Sequence, residues 1–372
     1  MFHVRIERIE TIPVRVPIRA ELAITSSLGS HAHSPFLLLR VHTSDGVVGL
    51  GEVSSTPRWS GEDNVTAHRV LHEYLEPALQ GHNPLDIESA VTKMNRVLAA
   101  HPFTKSGVEM ALWDILGKVA GLPLYRLLGG AVRDVIPLKF SISGAAPCEA
   151  ARLARFAIQQ GFRAMKVKVA MDSEDLNRVA AVREVIGSDV RLGVDANGGW
   201  MPSQAIQALR AMEQYGIFFA EQPVPPMDIT WMADVRRHIG IPVMADESVY
   251  SLQDAMALAR ASAADMYSLY VGKSGLTAAR KIAAVAQAAG LTCTIGSNME
   301  LGIATAAMIH LAIATPAIDP VAVPCDILSH LFYETNLLTE RLPVAGAEAR
   351  AIDKPGLGVE LDESAIRRYR VQ

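Results

Sequence analysis

The segment Ala164-Met165-Lys166-Val167-Lys168-Val169 sets two lysines two residues apart inside an apolar run. Successive side chains on a strand point to opposite faces, so Lys166 and Lys168 share one face. Their neighbours read as core, and lysine is rarely buried unless it is paired or put to use. The signature recurs along the chain. Asp195 in Val194-Asp195-Ala196-Asn197 follows Lys168 by 27 residues (195 − 168), and Glu221 in Ala220-Glu221-Gln222-Pro223 follows by 26 more (221 − 195). Asp246 comes after a further 25 (246 − 221), Lys273 after 27 (273 − 246) and Glu300 after 27 (300 − 273). Lone charges that close apolar runs at a near-constant period imply a repeated unit.

From residue 135 onward that unit is a short apolar strand followed by an amphipathic helix. Strands are expected at 137–142, 163–169, 190–195, 217–221, 241–246, 265–270 and 291–296, with a last one near 318–323. Helices are expected between them, for example at 149–160, 174–186, 203–215 and 275–289, and several end in glycine, as at Gly161, Gly187, Gly216, Gly240 and Gly290. About eight βα units close into a barrel; an open doubly wound sheet is the alternative. Upstream the pattern differs. Alternating residues 4–20 and the run 36–42 read as strands. Asp45-Gly46 marks a hairpin turn before Val47-Val48-Gly49-Leu50-Gly51-Glu52, and helical patterns fill 64–79, 84–99 and 104–120. The expected organisation is an α+β capping domain at 1–130, a barrel at 131–325 and a tail at 326–372 that rejoins the cap.

Composition narrows the function classes. Half of the 372 residues are hydrophobic and a fifth are charged, enough for a large core. A net charge of −4 carries no nucleic-acid footprint. No run of about 18 apolar residues predicts a membrane span. The start, Met1-Phe2-His3-Val4-Arg5-Ile6-Glu7-Arg8, is unlike a signal peptide. Cys148, Cys293 and Cys325 are odd in number and far apart, which argues against a disulfide framework. A cytoplasmic protein is expected.

In such barrels catalytic side chains stand at the C-terminal ends of strands. Asp195, Glu221 and Asp246, on consecutive strands, form an all-oxygen set suited to a hard divalent cation such as Mg²⁺, whereas zinc favours histidine and cysteine. Without a cation, crowded carboxylates repel by up to ~4 kcal/mol per pair at 4 Å. The plainer reading of any one of these acids is a helix cap or a partner for lysine. Lys168 and Lys273 flank the arc on opposite sides of the mouth, as an acid/base pair would. Lys166 is expected to lower the pKa of Lys168 by like-charge repulsion. Glu300 orients a lysine or a substrate, or caps the helix 300–313. A metal plus two acid/bases suits proton transfer next to a carboxylate, where an enolate must be stabilised.

Taken together, Lys166-x-Lys168, Asp195-Ala196-Asn197, Glu221-Gln222-Pro223, Asp246-Glu247-Ser248, Lys273 and Glu300 resemble the muconate-lactonising subgroup of the enolase superfamily. Gly49-Leu50-Gly51-Glu52 and the stretch from Ser106 to Asp114 resemble that family's N-terminal domain. The resemblance implies a modified (β/α)₇β barrel under a lid. It also implies Asp195, Glu221 and Asp246 as ligands of Mg²⁺ or Mn²⁺, Lys168 and Lys273 as acid and base with Lys166 assisting, a small carboxylic acid substrate and a homo-oligomer. The lid loops, roughly 18–34 and 53–63, choose the substrate. The loop Thr56–Glu62 resembles that of muconate cycloisomerases. It makes Trp59 a cover for a planar diacid and Arg58 a partner for a distal carboxylate; a packing anchor and a solvated arginine are the plainer readings. Asn197 and Ser297 are further substrate candidates. His31 and His33 look like a metal pair but stand apart from the acids. Asp319 and Asp326 lie seven apart, without the Asp-x-Asp of dipeptide epimerases. The expected activity is therefore a muconate-type cycloisomerisation. The alternatives are racemisation, epimerisation or β-elimination of another carboxylate and, more remotely, a non-catalytic acid-binding protein.

Overall fold

The computed structural model describes residues 4–31 and 33–371. The side chains of His31 and His33 lie outside the described set, and with them the metal-pair reading. The cap is built on an antiparallel sheet of β1 (Ile6–Pro17), β2 (His33–Thr43) and β3 (Val48–Val53), in the order β1-β2-β3. The helix α1 (Pro102–Ala120) lies directly on β3. Gly49 and Gly51 make that approach possible: a Cβ on either would stand about 2 Å from the carbonyl oxygen of Ala111 or Gly107. The pair thus serves backbone packing. The expected helix 64–79 contains a single π turn at Leu71–Leu75.

The barrel sheet has seven parallel strands: β4 (Phe140–Ile142), β5 (Ala164–Lys168), β6 (Arg191–Asp195), β7 (Ile217–Glu221), β8 (Val243–Ala245), β9 (Met266–Leu269) and β10 (Thr292–Ile295), neighbours in chain order. The register is what assembles the mouth. Lys168 pairs with Asp195 across β5 and β6, Asp195 with Glu221 across β6 and β7, and Asp246 follows the end of β8 directly.

Two expectations need correction. The strand placed at 137–142 is split, because Val135–Pro137 pairs with Glu348–Arg350 of the tail and only Phe140–Ile142 joins the barrel. The eighth strand near 318–323 is reduced to single bridges at Ile318 and Cys325. Pro320 and Pro324 lack the N–H groups a ladder requires. Closure falls later, where Cys325 N–H donates to Pro137 O (2.9 Å), Lys139 N–H to Cys325 O (2.9 Å) and Asp326 N–H to Ile295 O (2.8 Å).

Two helices follow the last strands. The helix α2 (Val271–Ala288) kinks at Gly275, where φ is +77°, so Lys273 lies within its first turn. The helix α3 (Gly302–Ala314) is buried along its whole length. The tail packs back on the cap. Val14 bridges Arg370, Ile18 bridges Tyr333, and buried Asp114 of α1 accepts from Leu50 N–H (2.9 Å) and Leu357 N–H (2.8 Å). One continuous hydrophobic core runs through cap and barrel. Among the described residues no helix is long and apolar enough to cross a membrane.

Candidate active site

The strand ends bring Lys166, Lys168, Asp195, Glu221 and Asp246 to one mouth. Lys166 is buried, and its Nζ meets Glu221 Oε2 (2.9 Å), Asp326 Oδ2 (3.0 Å) and Asp195 Oδ2 (3.1 Å). Burial alone would lower its pKa, but these carboxylates hold it well above the ordinary lysine value. The charge expected to act on Lys168 is therefore answered by a cage of three acids. Lys168 Nζ donates to Asp195 Oδ2 (2.6 Å) and Asn197 Oδ1 (2.7 Å), and its side chain is 12% exposed. Asp195 is buried, yet its two lysines hold its pKa down.

Lys273 is placed differently. It is fully buried and donates to Asp246 Oδ1 (2.6 Å), Asp246 O (2.7 Å) and Ser268 O (3.0 Å). Its Nζ also lies 4.4 Å from the centre of the Tyr270 ring. Lys166, Lys168, Asp195, Asn197 and Asp246 line the cavity in the mouth, with Ile24, Leu28, Trp59, Met299, Leu328 and Phe332 as its apolar wall. Lys273 stands behind Asp246.

The donor set fits a hard cation in chemistry: three carboxylates from adjacent strands, all oxygen. Glu221 supports the fit. Burial, then repulsion from Asp195 and Asp246, raises its pKa despite Lys166, as expected of an acid sharing a site meant to hold more positive charge. As the side chains stand, lysines hold these acids, and among the described residues no three His, Cys, Asp or Glu side chains are arranged to hold a metal ion.

The remaining candidates divide. Ser297 lines the cavity, and its hydroxyl donates to Glu300 Oε2 (2.6 Å). Glu300 also accepts from Asn298 N–H (2.9 Å) and lies against Gly272; burial raises its pKa to about 7. It neither pairs with a lysine nor caps α3. That cap is Glu52 of β3, which accepts from the N–H groups of Leu301 (2.7 Å), Ile303 (3.1 Å) and Ala304 (3.1 Å). Trp59, on the helical turn Pro57–Ser60, reaches the mouth and donates to Glu247 Oε1 (3.0 Å). Arg58 turns away: its guanidinium donates to Leu28 O (3.0 Å), and it does not line the cavity.

Sequence reasoning passed over Lys139 and gave no role to Asp326, Glu247 or Glu52, which it named only within motifs. Lys139 carries the signal that picked out Lys166, a lysine inside the apolar run Ile136–Phe140; it is fully buried and pairs with Asp326 (3.1 Å).

A β/α barrel whose mouth gathers carboxylates and lysines from successive strands, beneath an α+β cap, has the build of an enolase-type isomerase. The family profile described as "Mandelate racemase / muconate lactonizing enzyme, N-terminal domain" matches residues 8–129, and "Enolase C-terminal domain-like" matches 149–365. The chain belongs to the mandelate racemase / muconate lactonizing enzyme family of the enolase superfamily. It is 31% identical to an N-succinyl-L-Arg/Lys racemase of Bacillus cereus, over 99% of this chain and 98% of the relative. It is 32% identical to muconate cycloisomerase 1 of Rhodococcus opacus, over 99% of each. A crystal structure of a dipeptide epimerase from Enterococcus faecalis, complexed with Mg and L-Leu-L-Tyr, superposes with a TM-score of 0.90 at 28% identity, covering 96% of this chain and 99% of that one.

Proposed function

We propose that the protein is a Mg²⁺- or Mn²⁺-dependent isomerase that moves a proton at the carbon next to a carboxylate, by cycloisomerisation of the muconate type. The observation that carries this reading is the asymmetry of the two lysines: Lys168 opens onto the cavity and Lys273 is sealed behind Asp246. Lactone closure needs one proton delivered to one face. Asp195, Glu221 and Asp246 would hold the cation, which when bound neutralises the substrate carboxylate and the enolate charge that develops on it. Lys168 Nζ moves the proton, oriented by Asn197 Oδ1 and Asp195. Lys273 fixes Asp246 and keeps a positive charge behind it. The apolar wall excludes water from the reacting carbon.

Racemisation of an N-acylated amino acid is the second reading. It is favoured by the second buried ammonium beside Asp246 and by the similarity to the N-succinyl amino acid racemase. Dipeptides are less well served, since Asp326 is neutralised by Lys139 and Lys166 and is not free for a substrate ammonium.

Incubation with cis,cis-muconate and Mn²⁺ tests the first reading by loss of ultraviolet absorbance. No loss with metal-loaded protein, together with α-deuteration of N-succinyl amino acids in D₂O, would replace it with the second.

A further inference from the structure

We propose that Glu247 couples the lid residue Trp59 to Lys168 through Asn197, so that seating of the lid sets the position of the base. The inference rests on the reading of Lys168 as the proton-transferring group, and it goes beyond that reading by naming Glu247 as a positioning residue.

A continuous line of hydrogen bonds makes the connection. Trp59 Nε1–H donates to Glu247 Oε1 (3.0 Å), Asn197 Nδ2–H donates to the same oxygen (2.9 Å), and Lys168 Nζ donates to Asn197 Oδ1 (2.7 Å). Glu247 Oε2 is buried without a partner, so among the described residues Trp59 and Asn197 are what hold the carboxylate. Each end of the line is constrained. The Trp59 ring stands edge-on to Phe103 (5.6 Å between centres) and packs against Tyr250 (5.8 Å) and Tyr270 (5.4 Å). Asn197 sits at φ +44°, a left-handed conformation asparagine tolerates, and its N–H donates to Asp195 Oδ1 (3.0 Å). The other lid loop reaches the same turn, where the Ser27 hydroxyl donates to Ala196 O (3.0 Å). Both loops of the cap therefore converge on the residue that orients Lys168.

Lys273 meets the lid only through ring faces, its Nζ lying 6.0 Å from the centre of the Trp59 ring, and not through this line of hydrogen bonds. Its acceptors are Asp246 and the backbone oxygen of Ser268, all within the barrel. The hydrogen-bonded line thus reaches one lysine, and the other, which meets Trp59 only across ring faces, serves as the comparison for a variant that keeps an aromatic ring.

The test uses the full chain in Mg²⁺ buffer at one fixed pH and needs no substrate. Acetylation rates of Lys168 and Lys273 are read by peptide mass spectrometry. Trp59→Phe keeps an aromatic ring and removes the Nε1–H donor with part of the indole; Glu247→Ala removes the shared acceptor. Each is expected to raise the labelling rate of Lys168 about fivefold, the worth of one net hydrogen bond, and to leave Lys273 unchanged. Glu247→Gln retains an Oε1 acceptor and is expected to label as the wild type. The double variant Trp59→Phe, Glu247→Ala is expected to label no faster than Glu247→Ala alone. Unchanged labelling of Lys168, or an equal rise at Lys273, overturns the coupling. If muconate is turned over, kcat falls in Trp59→Phe with KM unchanged; an unchanged kcat overturns the link between lid and base. Failure of turnover in the wild type bears on the proposed reaction alone, because labelling proceeds without it.

Discussion

The Lys168 and Lys273 sides of the mouth carry the same charge by different means. Lys168 ends a strand, is held by two side chains and keeps a path to the cavity. Lys273 sits in the kinked first turn of α2, is held largely by backbone oxygens and is sealed. Both partners of Lys168, Asp195 and Asn197, stand at the end of β6, and Asn197 is joined to the lid turn through Glu247 and Trp59; two of the three acceptors of Lys273 are backbone oxygens of the barrel. The difference teaches that a pair of lysines equivalent in sequence is not equivalent in role. On the proposed reading one moves a proton, and the other fixes charge.

Substitutions separate the two roles. Lys168→Ala is expected to lower kcat by roughly 10²–10⁴-fold, the range of a general acid or base, with little change in melting temperature. A large loss of stability with modest loss of rate would reverse the assignment. Lys273→Met is expected to do the opposite in stability, costing about 3–5 kcal/mol in denaturant melts, because Asp246 is left as a buried charge without its partner. A stability within about 1 kcal/mol of the wild type would show that the sealed lysine is dispensable to the fold.

Glu300 extends the comparison to pH. It lies against Gly272 on the Lys273 side with no lysine partner, and burial raises its pKa from 4.5 to about 7. A carboxyl whose pKa is raised by folding stabilises the folded state fully below pH 4.5, and that stability is lost as pH rises through about 7. Glu300→Gln is therefore expected to flatten the fall in stability between those values and to gain about 3 kcal/mol above pH 8. A slope unchanged by the substitution would place the titrating group elsewhere. The smallest effect is expected from Arg58→Ala. Its guanidinium meets an exposed carbonyl, so stability should change by less than about 1 kcal/mol and the KM for a dicarboxylate should not move. A tenfold rise in KM would bring Arg58 back to the substrate.

The barrel was legible because its strands end in charges that the core would otherwise reject. Lys168, Asp195, Glu221 and Asp246 each close an apolar run, and parallel register then brings them together. What sequence spacing does not encode is who answers a charge once it is buried. Lys166 reads as a neighbour that perturbs Lys168, whereas three carboxylates from three other segments surround it. Glu52 and α3 lie about 250 residues apart, so no local pattern announces that cap. Barrel closure was misplaced because prolines at 320 and 324 interrupt the ladder, and the apolar run alone concealed this. Arg58 was read toward the cavity from loop resemblance, and a backbone carbonyl at Leu28 claims it instead.

The most direct measurement is the position of deuterium in the product formed from cis,cis-muconate in D₂O with Mg²⁺. If Lys168 alone moves the proton, nuclear magnetic resonance finds one deuterium, on one face of the carbon next to the free carboxylate, and none appears with Lys168→Ala. Deuterium on both faces of that carbon, or labelling that survives in Lys168→Ala, would contradict it.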